Sequence, residues 1–106
     1  MAKYLYLASY TTEGLKGLIK DGGSKRKKDL SAAVKDLKGT LETLYFAFGD
    51  NDVYSIVDVP DNVSAATIAL KINASGAAKV KTVVLLTPEQ IDEATKINIS
   101  YRPPGQ

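Results

Sequence analysis

Leu41-Glu42-Thr43-Leu44-Tyr45-Phe46-Ala47-Phe48-Gly49-Asp50-Asn51-Asp52-Val53-Tyr54-Ser55-Ile56-Val57-Asp58-Val59 is the stretch whose reading decides the fold. Leu44, Phe46 and Phe48 fall on one side of a two-residue period, with Leu41, Thr43, Tyr45 and Ala47 on the other, which marks a strand from Leu41 to Phe48. The polar tetrad Gly49-Asp50-Asn51-Asp52 interrupts it, and a second β-branched run follows from Val53 to Val59. Asp and Asn tolerate the left-handed backbone of a tight turn, so the pair reads as an antiparallel hairpin.

Upstream of the hairpin, Lys3 to Tyr10 alternates Leu5 and Leu7 with Tyr4, Tyr6 and Tyr10, a strand with bulky groups on both faces. Thr11 or Thr12 caps a short helix carrying Leu15, Leu18 and Ile19, which stops at Asp21-Gly22-Gly23. Ser24 is expected to cap a second helical segment, with Leu30, Ala33, Val34 and Leu37 at helical spacing and Gly39 as its C-terminal cap. Downstream, Pro60 closes the third strand and Asp61 or Asn62 caps a helix running to about Ser75. Its polar stripe is only Ser64, Thr67 and Lys71, so burial is expected on both its sides. Gly76 ends it, Ala78 to Leu86 forms a fourth strand, and Thr87-Pro88-Glu89-Gln90 opens a final short helix with the pattern of a capping box. The tail Tyr101-Arg102-Pro103-Pro104-Gly105 is expected to be extended.

This order predicts a single α+β domain over residues 1–106, a ferredoxin-like β-α-β-β-α-β unit with helices on one face of an antiparallel sheet. Every strand carries apolar or aromatic groups on both faces, so the uncovered face needs a partner. A homodimer or higher homo-oligomer with facing sheets is the expected solution; the alternative is that the C-terminal helix and tail wrap over that face.

Composition narrows the chemistry. The 106 residues are 44% hydrophobic and carry 14 Lys and Arg against 12 Asp and Glu, a net charge of +2 that gives no strong pull toward nucleic acid or an acidic membrane. With no Cys and no His, disulfides, thiolate nucleophiles, imidazole bases and the common zinc and haem ligands are missing, so no metal or cofactor is expected. The first ten residues lack a signal-peptide pattern and no apolar run reaches the roughly 20 residues of a membrane span, which predicts a cytoplasmic protein.

The motifs Ala8-Ser9-Tyr10, Glu13-Gly14-Leu15-Lys16-Gly17-Leu18, Gly22-Gly23-Ser24, Tyr45-Phe46-Ala47-Phe48-Gly49, Pro60-Asp61-Asn62-Val63-Ser64-Ala65-Ala66, Asn73-Ala74-Ser75-Gly76 and Tyr101-Arg102-Pro103-Pro104-Gly105 make the chain resemble the GYD domain family along nearly its whole length. The family's turn ends Gly-x-Tyr-Asp, whereas here Asn51 precedes Asp52 and the tyrosine is missing. The resemblance implies a ferredoxin-like fold close to the dimeric α/β-barrel proteins, some of which are cofactor-free enzymes. It implies no particular reaction.

Seven residues are candidates for ligand contact: Gly23, Ser24, Lys25, Arg26, Asp52, Tyr54 and Asn73. Glycines at a helix start beside Lys25 and Arg26 offer free N–H groups and positive charge to an anion; the plainer reading is a helix break with a solvated basic face. Asp52 suits a general base in a dry pocket or a turn brace, and Asn73 a ligand donor or a helix terminator. Tyr4, Tyr6, Tyr45 and Tyr54 line a pocket or pack a core. Two functions fit: a cofactor-independent enzyme or binder for a small acidic or aromatic compound, and a non-enzymatic oligomerisation module. RNA recognition lacks its strand signature.

Overall fold

A computed structural model describes all of residues 1–106. The elements run β1 (Ala2–Tyr10), α1 (Thr12–Asp21), α2 (Gly23–Asp36), β2 (Thr40–Phe46), β3 (Val53–Val59), α3 (Asn62–Ser75), β4 (Ala78–Leu85) and α4 (Pro88–Thr95). The hairpin forms as expected, with Tyr45 opposite Tyr54 and Phe46 opposite Val53. β1 pairs antiparallel with both β3 and β4, which gives one four-stranded sheet in the order β2-β3-β1-β4.

Strand alternation sorts the side chains. Tyr4, Tyr6, Val57 and Val59 point to the helices and close a core with Val34 of α2 and Ala65 and Ile68 of α3. Burying side chains of this size stabilises by about 1.5–3 kcal/mol each. The Tyr6 hydroxyl donates to the Ala65 carbonyl at 2.6 Å, and Tyr4 donates to Asn62 Oδ1 at 2.5 Å, so both phenols fasten α3 to β1. Only 11 of 106 residues are buried, because helices cover one face of the sheet and nothing in the chain covers the other.

Several local expectations are corrected. α2 starts at Gly23, not under a Ser24 cap: Gly22, with φ 83°, is its N-cap and no side chain caps it. α1 and α2 are therefore separated by one residue, and Gly22 N–H still bonds back to the Leu18 carbonyl at 2.7 Å. Gly39 is not a left-handed cap; Lys38 takes that conformation at φ 61°. Glycine is required at 39 because a Cβ there would lie 2.5 Å from the Asp58 carbonyl oxygen. The hairpin turn uses no positive-φ Asp or Asn and is closed by Ala47 N–H bonding the Asp52 carbonyl at 2.8 Å. The outer side of α3 is bare, with Val63 76% and Leu70 68% exposed, since the sheet reaches only its inner side.

The other punctuation holds. Asp61 caps α3 through Ser64 N–H at 2.9 Å, Gly76 ends it at φ 76°, and Thr87 and Gln90 form the capping box of α4. No helix is long and apolar enough to cross a membrane.

Candidate functional site

α2 lies against β2 at one edge of the sheet and α3 against β4 at the other. Between them the central strands present small residues: Ala8 of β1 and Ser55 of β3, with Ala78 of β4 and Ala33 of α2 beside them. Small side chains under diverging helices cannot fill the space. The result is a cavity of about 360 Å³, in the size range of small-molecule sites.

Its walls are Tyr6, Tyr10, Leu44, Phe46, Ile68 and Ile72 among 19 lining residues, 13 of them hydrophobic. Charge is confined to Arg26, Asp29 and Asp36 on α2 and Lys71 on α3, two cations and two carboxylates. Arg26 Nη1 lies 3.6 Å from Asp29 Oδ2, whereas Lys71 has no ion pair within the chain.

Ser55 is the polar group that most shapes this site. The residue is 2% exposed and lines the cavity, and its hydroxyl, which is not among the fully buried polar atoms, makes no side-chain hydrogen bond within the chain. A hydroxyl on a cavity wall that has no partner in the chain and keeps access to the cavity can exchange a water for a ligand's polar group. Tyr6, directly opposite Ser55 in the β1–β3 register, has its phenol pushed up to about 12, first by burial and then by the neighbouring Tyr4. At neutral pH it is a neutral hydroxyl that donates to α3 and can still accept, not a base.

Of the seven residues singled out in the sequence, Arg26 alone lines this cavity. Gly23 abuts the Phe46 ring and shares a shallower depression with Asp52, Leu15 and Phe48. Ser24 and Lys25 are exposed on the first turn of α2, with Lys25 3.9 Å from Asp21. Asp52 accepts from the Tyr10 N–H at 2.8 Å and braces the end of β1. Asn73 Oδ1 accepts from the Val80 N–H at 2.8 Å and ties the end of α3 to β4. Tyr54 and Tyr45 are cross-strand neighbours on the face away from the helices. Ser55 is the residue that motif reading passes over, although a serine among the core-facing Val53, Val57 and Val59 is visible in the sequence.

Sheet, helices and cavity define a small α+β domain with an apolar cleft on its helix-covered side and one uncovered sheet face. The chain belongs to the GYD domain family, whose model matches residues 4–95. No curated protein and no solved structure matches it.

Proposed function

We propose that this GYD domain is a ferredoxin-like unit that binds a small aromatic or otherwise apolar compound between α2, α3 and the sheet. The observation that carries this reading is the unpartnered Ser55 hydroxyl in a cavity of about 360 Å³. The ligand's apolar body lies against Leu44, Phe46 and Ile68, and its one buried polar group bonds Ser55. A carboxylate, where present, sits at the rim, where Arg26 and Lys71 provide the cations. Asp29 competes for Arg26, so the apolar contacts set affinity and the rim sets preference between acids and neutral analogues.

Titration calorimetry with benzoate, 4-hydroxybenzoate and p-cresol tests this. Arg26→Ala should weaken the two carboxylates by about 1.5–3 kcal/mol, the loss of a charged hydrogen bond, and leave p-cresol unchanged. Absence of binding by all three, or equal losses for acid and phenol, overturns it.

Self-association is a second reading, favoured by a different observation. The face away from the helices carries cross-strand rows of apolar and aromatic side chains, Tyr45-Tyr54-Leu7 and Ile56-Leu5-Val83, with Tyr45 71% exposed. A second copy covering that face removes this surface from water. Sedimentation at micromolar concentration showing only the 11.4 kDa species sinks this reading.

A further inference from the structure

The C-terminal segment leaves the domain. The radius of gyration is 16.9 Å and the long axis 57 Å, whereas a compact chain of this length has a radius of about 13 Å. α4 has no extensive packing against another element, and Ile91, Ile97, Ile99 and Tyr101 are 46%, 69%, 78% and 70% exposed. Thr87 is extended at φ −76° and ψ 159°, and its reciprocal bonds with Gln90 hold the first turn of α4.

An eight-residue helix has little stability in water on its own, even with a capping box. The arm therefore needs a surface, and the open sheet face needs a cover. Their charges match. The arm carries Glu89, Asp92 and Glu93 in its helix, Lys96 at the helix C-cap and Arg102 in the segment that follows. The open face carries Lys79 and Lys81 toward one end, in register with Ser9 and Leu7, and Asp58, Lys3 and Glu42 at the other. None of the arm's charges, nor Lys79 or Lys81, forms an ion pair within its own chain.

We infer that the C-terminal arm, residues 87–102, docks on the open sheet face of a second copy of this chain, reciprocally across a two-fold axis. Ile91 and Ala94 of α4 meet Leu7 and Val83, its acidic side meets Lys79 and Lys81, and Ile97, Ile99 and Tyr101 run on toward the end of the face that holds Asp58 and Glu42, where Arg102 finds the carboxylates. Lys81 and Asp58 are about 16 Å apart by strand geometry, a distance residues 97–102 reach when extended at about 3.3 Å each. Direct sheet-on-sheet packing would cover the face yet leave the arm's isoleucines in water. This inference rests on the self-association reading and specifies what does the covering.

The chain has no cysteine, which makes cross-linking clean. Full-length Ile91→Cys is mixed in turn with full-length Leu7→Cys, Ile56→Cys and Val83→Cys under mild oxidation, and the double variant Ile91→Cys/Val83→Cys is oxidised alone. The expected result is a mixed disulfide dimer with Leu7→Cys or Val83→Cys, and an intermolecular bond in the double variant. An intramolecular bond overturns the inference, because the arm then covers its own sheet. A dimer by sedimentation with no mixed disulfide at any of the three positions overturns the arm exchange while association stands, and a monomer removes both. As an independent reading, Ile91→Asp should raise the dimer Kd at least about tenfold with the circular dichroism of the sheet retained; an unchanged Kd overturns it.

Discussion

Replacing Ser55 by valine should make this protein more stable and less able to bind its ligand. Ser55 is 2% exposed, sits between Val53 and Val57 on the core face of β3, and turns its hydroxyl to a cavity of about 360 Å³ that has room for two methyl groups. One extra buried methyl contributes about 0.8 kcal/mol, and the lost hydroxyl gives up no side-chain bond within the chain, for a gain of about 1–2 kcal/mol once strand preference is included. Valine also suits a strand better than serine. For a domain of this size the gain raises Tm by about 5–10 °C, which differential scanning calorimetry resolves. Binding moves the other way. A ligand's polar group buried against a methyl loses its hydrogen bond and its water together, so affinity should fall about tenfold to a hundredfold by titration calorimetry with 4-hydroxybenzoate. A variant that is less stable than the parent, or that binds equally well, would refute the assignment of Ser55 to the ligand site.

Two further outcomes follow from the same packing. The Tyr6 phenol is held at about 12 in the folded chain against 10 when unfolded, so its contribution is complete below pH 10 and is lost as pH rises toward 12; urea midpoints should fall across that window, and Tyr6→Phe should flatten the fall. Gly14→Ala would place a Cβ 1.8 Å from the Ala77 carbonyl oxygen, the acceptor of the Thr11 N–H at 3.0 Å, so α1 must move off the sheet. A loss of at least about 1–3 kcal/mol in chemical denaturation is expected, and a wild-type midpoint would show that α1 is not held there.

Much of the fold is written locally. Alternation in Leu41–Val59 specifies the hairpin, Thr87 with Gln90 the cap of α4, and Gly76 the end of α3, because each depends on residues within a few positions of one another. The Gly22–Arg26 region was legible only in part. The helix break is there, but which residue caps α2 depends on how the two helices join, and Gly23 rather than Ser24 opens it. By local pattern Gly39 is a helix terminator, whereas the collision that demands glycine comes from Asp58, 19 positions away. The cavity lay further still from a linear reading. Ala8, Ala33, Ser55 and Ala78 are unremarkable one at a time and become a site only when β3, β1, β4 and α2 are assembled around them. Sequence by itself determined the elements, their order and the surplus of apolar surface, since these follow from side-chain period and backbone preference. Tertiary structure alone decided that Tyr54 and Tyr45 face away from Arg26, that the Ser55 hydroxyl has a cavity and no side-chain partner, and that α4 has no extensive packing on its own domain. Those facts depend on which distant residues become neighbours, and short-range pattern carries no information about that.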